Sequence, residues 1–275
     1  MLKNIADMKA LMAEIETKPK KSFGQSYLIN EAVVEKIIKT VGLLNPEFLV
    51  EIGPGLGSLT RPLGEFKCPL ILVELDRDLV GYWRKQKFNV IDNDALKVDW
   101  SKVSQGALIT LVSNLPFEIS STLLVDLSTT VTPIKEMVLM FQKEVGQRIQ
   151  AKKRTSDYGL LSVISQSAWT SEKISDANPS SFFPPPRVAG RVLLFRRKVI
   201  AGVDGARFLK FVKAAFAQRR KYMCNNLAAV VAGRDSADRI LSGIASLGHS
   251  SKVRAEELDA QEFIELFKKL DGVRG

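Results

Sequence analysis

Four places in this 275-residue chain combine residue types and spacing that can do chemistry. The run LVEIGPGLGS, residues 49–58, sets Gly53, Gly55 and Gly57 at alternate positions behind an apolar run that ends in Glu51 and Ile52. A helical pattern follows over 59–65, so the stretch reads as strand, turn and helix, the entry to a nucleotide site. Glycine lets the backbone turn with positive φ and approach a ligand without a Cβ in the way. Glu74 closes a second apolar run, 70–73, and lies 21 residues past Gly53. An acid about 20 residues past the glycines is placed to accept ribose hydroxyls. Asp94, in Asn93-Asp94-Ala95, can accept from an exocyclic amine such as that of an adenine ring, or it can form an Asx turn or helix cap. Asn114-Leu115-Pro116-Phe117 is the fourth place. An exocyclic amine on a base is a poor nucleophile because its lone pair is delocalised into the ring. The Asn114 side-chain oxygen and the Leu115 carbonyl offer two acceptors for its hydrogens. They would turn the lone pair outward and stabilise the charge that develops on nitrogen. Pro116 fixes the turn, and Phe117 offers a stacking face. The structural alternative is a strand-end turn with a buried Phe.

These residues need elements to position them. The pattern predicts strands ending before each of the four places, over 49–52, 70–73, 88–91 and 107–112. In an open α/β sheet, ligands bind outside the carboxyl ends of the strands, so the four sites converge. Helices are predicted over 31–41, 78–85 and 119–127. Then come a fifth strand over 137–141, a helix from 142, a helix over 158–168 and a strand near 173–176. Phe182-Phe183-Pro184-Pro185-Pro186-Arg187 reads as a stiff extended segment, with 191–197 as its partner strand. Gly and Val-Asp-Gly composition around 199–205 marks a domain boundary, and 206–275 shows helical periodicity only. At the other end, Ile5, Met8, Leu11, Met12 and Ile15 interleave with Asp7, Glu14 and Glu16. That is an amphipathic helix, solvent-facing or docking, and neither a secretory signal nor a transit peptide. A basic linker, Lys18-Pro19-Lys20-Lys21, leads from it into SFGQSYLIN.

Composition narrows the classes. Hydrophobic content of 45% with 25% charged residues is that of a soluble globular chain, and no apolar run approaches the roughly 20 residues of a membrane span. A net charge of +10 with a pI near 9.6 favours polyanions, nucleic acid first. Two distant cysteines, Cys68 and Cys224, suit a reducing, cytoplasmic compartment and no zinc cluster. A lone His249 disfavours histidine-based catalysis and metal ligation.

The loop form E-x-G-x-G-x-G resembles the first motif of class I methyltransferases, which bind S-adenosylmethionine; in the dehydrogenase fingerprint the third glycine comes one residue later. Asn-Leu-Pro-Phe resembles the fourth motif of amino methyltransferases, (D/N/S)-P-P-(Y/F) and its variant N-L-P-Y. Over most of residues 20–270 the chain is similar to the small-subunit rRNA adenine dimethyltransferases. The segments FGQSYL, VEIGPGLGSLT, VELDRDL, NDAL, SNLPFEISS, FQKEVGQRI, FFPPPRV, FAQRRKYMCNNL and VRAEEL carry that similarity.

The resemblance implies an α/β, class I methyltransferase fold: a Rossmann-like doubly wound sheet with a small all-helical C-terminal domain. It divides the chain into an N-terminal helix and linker (1–21), an S-adenosylmethionine-binding domain (22–200) and a helical, rRNA-binding domain (201–275). It places Ser26, Leu28, Gly53, Gly55, Glu74, Asp94 and Asn114 around the cofactor, with Glu74 on the ribose and Asp94 on the adenine amine. It gives Asn114, Leu115, Pro116 and Phe117 to the target adenine. It implies no metal, and 16S rRNA in the small-subunit precursor as partner, with N6,N6-dimethylation of two adjacent adenosines near the 3′ end; since nothing in the sequence suggests an obligate interface, a monomer is expected. Arg219, Arg220 and Lys221 are candidates for phosphate contacts, or else a solvated helix face. Three departures stand out: Ser26 replaces the family's Asn, Phe117 replaces its Tyr, and Ala189-Gly190 replaces its Asp-Ser. The rivals are the large-subunit rRNA adenine methyltransferases of macrolide resistance and a noncatalytic nucleic-acid-binding factor on the same fold.

Overall fold

The computed structural model describes residues 5–20, 23–198, 202–231, 233 and 235–271. The first four residues of the expected N-terminal helix, Lys21 of the linker and 199–201 of the expected boundary lie outside them. The chain begins with α1 (Ile5–Glu14), β1 (Tyr27–Leu28) and α2 (Glu31–Leu44), then β2 (Phe48–Ile52), α3 (Thr60–Leu63), β3 (Leu70–Glu74) and α4 (Arg77–Lys85). It continues through β4 (Asn89–Asp92), α5 (Trp100–Val103), β5 (Ile109–Ser113), α6 (Phe117–Thr129), β6 (Ile134–Gln142) and α7 (Lys143–Ile149). Next come α8 (Leu160–Ala168), β7 (Trp169–Ala177), β8 (Phe182–Phe183) and β9 (Gly190–Arg197). The helices α9 (Gly205–Ala215), α10 (Met223–Leu227), α11 (Ser236–Ser246) and α12 (Ala260–Asp271) complete it.

Seven strands form one sheet in the order β4-β3-β2-β5-β6-β9-β7. The first five are parallel, and β9 runs antiparallel to β6. Parallel strands covered on both faces are apolar almost throughout: in β2, Leu49, Val50 and Ile52 are all buried. Helix α2 supplies one cover. Asn30 caps it by accepting from the Val33 amide, and Val33, Ile37 and Val41 recur every four residues on its buried side. They pack with Leu49, Val112, Val138 and Leu194. A second cluster joins Met8, Leu11 and Met12 of α1 to Leu72, Leu79, Tyr82 and Trp83. The N-terminal helix therefore docks, with Met8 only 1% exposed.

Two sequence expectations need correction. The proline segment does not pair with 191–197. Only Phe182 and Phe183 are in a strand, and they pair with Tyr27 and Leu28 of β1. Prolines 184–186 have no N–H to extend a ladder, and the expected partner, as β9, bonds β6 from Gln142↔Gly190 to Glu136↔Arg196. The helix after the glycine loop is a single turn, Thr60–Leu63, rather than 59–65, because the chain leaves it at Gly64.

Contacts divide the chain into two compact units. The first comprises Met1–Leu123, Thr132–Gly146 and Ser171–Arg197; the second comprises Leu124–Val131, Gln147–Thr170 and Lys198–Gly275. The second unit thus recruits chain well before the boundary read at 199–205. Its core explains why: Tyr158, Val163 and Ile164 pack with Phe208, Phe211, Leu227, Ile244, Phe263 and Phe267. Phe267 meets both Phe208 and Phe211 edge-on, at 5.4 and 5.5 Å between centroids. Among the described residues no helix is long and apolar enough to cross a membrane.

Candidate active site

In the first unit the strand order reverses between β2 and β5, and an open α/β sheet leaves a crevice at such a switch point. A cavity of about 210 Å³ lies there. The expected residues from both sets, Ser26, Leu28, Gly53, Gly55, Glu74, Asp94, Asn114, Leu115, Pro116 and Phe117, all line it. Arg219, Arg220 and Lys221 belong to the second unit.

The glycine loop turns as the spacing demanded. Gly53 has φ +64°, and a Cβ built there would meet nothing within 4 Å, so the backbone faces open space. Gly57 is different. It has φ +95°, a Cβ there would lie 2.6 Å from the Trp83 ring, and Gly57 is absent from the cavity wall. The early third glycine thus serves helix packing, and Trp83 also donates from Nε1 to the Gly55 carbonyl at 2.9 Å.

Glu74 and Asp94 are held by backbone amides. Glu74 is 7% exposed, and its Oε1 accepts from the amides of Leu75 (2.8 Å) and Asp76 (2.9 Å). Burial pushes its carboxyl upward, and those two amides oppose the shift. Asp94 lines the cavity, and its Oδ1 also caps a short 3-10 turn by accepting from the Leu96 amide at 3.0 Å, the helix cap that the sequence offered as the structural alternative. Glu51 was quoted in the motif but given no role. It lines the same cavity, is 2% exposed, and its Oε2 is buried without a partner. Burial pushes its carboxyl from 4.5 up to about 8, opposed by the nearby Thr60 hydroxyl and helped by the neighbouring Glu74 charge.

Asn114 donates from Nδ2 to the Ser26 carbonyl at 3.0 Å. The amide is thereby committed as a donor on one side, which leaves Oδ1 as the acceptor. Just beyond it, Phe117 opens α6, where its carbonyl accepts from the Ser120 hydroxyl at 2.8 Å. The departure at Ser26 has a structural use: its hydroxyl donates to the Pro184 carbonyl at 2.7 Å, tying the strap before β1 to the proline segment. Sequence reading missed Glu51 and Trp83. Glu51 had a signal, an ionisable residue inside a run that must be buried. Trp83 had none, since an indole on a helix reads as ordinary core.

Comparison with known proteins agrees with this geometry. Residues 16–271 match the family model for the ribosomal RNA adenine dimethylases. A ribosomal RNA small subunit methyltransferase A of Bdellovibrio bacteriovorus is 44% identical over 250 residues, covering 90% of this chain and 91% of the relative. Among solved structures, a dimethyladenosine transferase from Plasmodium falciparum superposes with a TM-score of 0.76 at 22% identity, covering 90% of this chain and 98% of its own. The 23S rRNA methyltransferase ErmE gives 0.65 at 21% identity, with coverages of 89% and 99%. These two likenesses concern the fold, which is that of class I methyltransferases. With the glycine loop, Glu74 and the Asn-Leu-Pro-Phe turn all lining one cavity, and a family match over nearly the whole length, the chain belongs to the ribosomal RNA adenine dimethylase family.

Proposed function

We propose that this protein transfers methyl groups from S-adenosylmethionine to N6 of two adjacent adenosines near the 3′ end of 16S rRNA, in the cytoplasm and on a precursor of the small subunit. The observation that carries the reading is the fixed polarity of Asn114, whose amide is spent on Ser26 so that its oxygen is free to hold an amine. The small-subunit assignment rests on the relative that is 44% identical.

The cavity fits the methyl donor. Open space beside Gly53 admits a ligand against the backbone. Glu74 Oε1 is bonded to the Leu75 and Asp76 amides, and Oε2 is the oxygen we assign to ribose hydroxyls. The orphaned Glu51 oxygen leaves an unfilled hydrogen-bonding position on the wall, which a polar ligand can fill. Asp94 keeps Oδ2 for the adenine amine. When bound, S-adenosylmethionine supplies an electrophilic methyl group on sulfur.

The chain's own residues then act on the target base. Asn114 Oδ1 and the Leu115 carbonyl accept the two amine hydrogens and orient the lone pair. They also stabilise the positive charge that grows on nitrogen, as preorganised dipoles that need no rearrangement. Pro116 fixes the turn, and Phe117 offers its face to the flipped base, worth roughly 1–3 kcal/mol. Phenylalanine retains that stacking face without the tyrosine hydroxyl. Positioning supplies most of the acceleration, so the chemistry needs no histidine base.

The test is transfer of labelled methyl to small subunits that lack the modification, with 23S rRNA as control. Dimethyladenosine in 16S rRNA alone is expected, and Asn114→Ala should lower kcat by about 10²–10³-fold. Label in 23S rRNA would move the protein to the large-subunit enzymes. Binding to subunits without label in either RNA would leave a noncatalytic factor.

A further inference from the structure

Beside the cavity, Asp76 of the VELDRDL segment stands at the centre of a network to which the mechanism above gives no part. It is 1% exposed. Its Oδ1 accepts from Lys20 Nζ and from the Asp78 amide, and its Oδ2 accepts from Gln25 Nε2 at 2.9 Å. Lys20 also reaches Asp78 Oδ2 at 2.7 Å. Gln25 is held from both sides, since its Oε1 accepts from the Lys20 amide at 2.8 Å and from the Tyr27 hydroxyl at 3.0 Å. The Asp76 amide donates to Glu74 Oε1. One residue therefore touches the ribose acid through its main chain and the strap through its side chain. That strap carries Ser26, whose carbonyl orients Asn114. A buried carboxylate is costly unless paired and hydrogen-bonded, and here every bond that compensates it runs to the strap or to the first turn of α4.

We infer that Asp76 is a positioning residue: by clamping the strap through Lys20 and Gln25, it sets the Asn114 acceptor at a fixed place relative to Glu74. The inference rests on the methyltransferase reading, because it assigns the clamp to the spacing between a cofactor acid and an amine acceptor. The competing role is local. Asp76 is the N-cap of α4, and a cap stabilises its helix without touching the strap. The two roles separate by chemistry. Serine caps nearly as well as aspartate but is too short to bridge to Lys20 and Gln25. Changes at Lys20 and Gln25 break the clamp from the other side and leave the cap intact.

The experiment compares wild type, Asp76→Ser, the double variant Lys20→Met with Gln25→Leu, all three changes together, and Lys20→Arg. Three quantities are measured: S-adenosylmethionine affinity by equilibrium dialysis, kcat at saturating S-adenosylmethionine on unmodified small subunits, and thermal midpoint. With the clamp, Asp76→Ser and the strap double variant each weaken S-adenosylmethionine binding and lower saturated kcat by roughly 10- to 100-fold, the scale of a misplacement of about 1 Å. Combining them adds nothing further, because both break the same network. Lys20→Arg, which keeps the charge, retains the wild-type values. The inference is overturned if the strap variant shows wild-type affinity and kcat, or if the two sets of losses multiply. A wild type that neither binds S-adenosylmethionine nor transfers methyl overturns the methyltransferase reading itself, whatever the variants do.

Discussion

At the scale of single residues, the cavity holds two carboxyls that folding drives toward their neutral forms. Glu51 is the stronger case. Its folded pKa of about 8 against an ordinary 4.5 means that the unfolded chain loses the proton first as pH rises. The contribution of Glu51 to stability is therefore unpenalised below about pH 4.5, falls through pH 4.5–8 and levels off above. Glu51→Gln keeps the neutral shape, so its thermal midpoint should match wild type near pH 4.5 and exceed it at pH 8.5. Parallel midpoint curves for the two proteins would refute the raised carboxyl. At this scale the sequence was most readable where chemistry sits directly at a strand end: Glu74, Asp94 and Asn114 each follow an apolar run, and all three reach the cavity. Asp76 was unreadable although it stands two residues from Glu74. Its partners, Lys20 and Gln25, lie 56 and 51 positions away, and side-chain bonds over such distances leave no local pattern.

At the scale of elements, the glycine loop is the sharpest test, because its glycines answer to different neighbours. At Gly57, alanine would combine a strained φ with a Cβ pressed into Trp83. Gly57→Ala should cost at least about 2 kcal/mol in chemical denaturation. Gly53→Ala meets no protein atom, so it should cost less stability than Gly57→Ala while weakening S-adenosylmethionine binding; the reverse ranking would show that Gly53 is the packed position. The strap and β8 mark the limit of sequence pattern. Two residues pairing with two others, Tyr27 with Phe183 and Leu28 with Phe182, give no periodicity to detect. The longer run 191–197 therefore drew the proline segment as its partner. The dock of α1 was half legible: its apolar stripe was plain, but what covered it was not, since the covering residues come from α4 and β3.

At the scale of the whole molecule, the second unit carries the basic residues proposed to meet RNA, and its ion pairs sort them. Arg219 bonds Glu256 at 2.7 Å and the Thr155 carbonyl at 3.0 Å, so it braces its own unit. Arg220 and Lys221 are exposed and have no ion pair among the described residues. Neutralising those two should weaken binding to 16S rRNA and flatten log Kd against log salt by roughly 1.5; an unchanged slope would remove them from the interface. The helical character of this unit was legible from periodicity, but its extent was not, because Tyr158, Val163 and Ile164 join its core from the far side of β7 and β9 in sequence. The pairing of β1 with β8 also bears on how the protein is made. Ser26 and Pro184, which bond each other, lie 158 positions apart. At ribosomal speeds of ~5–20 residues per second, the first waits roughly 10–30 s for the second. Until then the stretch before β1 is held on the Asp76 side alone, and β1 itself has no strand to pair with. A nascent chain therefore carries every residue of the glycine loop, Glu74 and Asp94 long before the β1–β8 pair that completes the cavity wall, so full methyl-donor affinity is expected only of a first unit synthesised past Pro184.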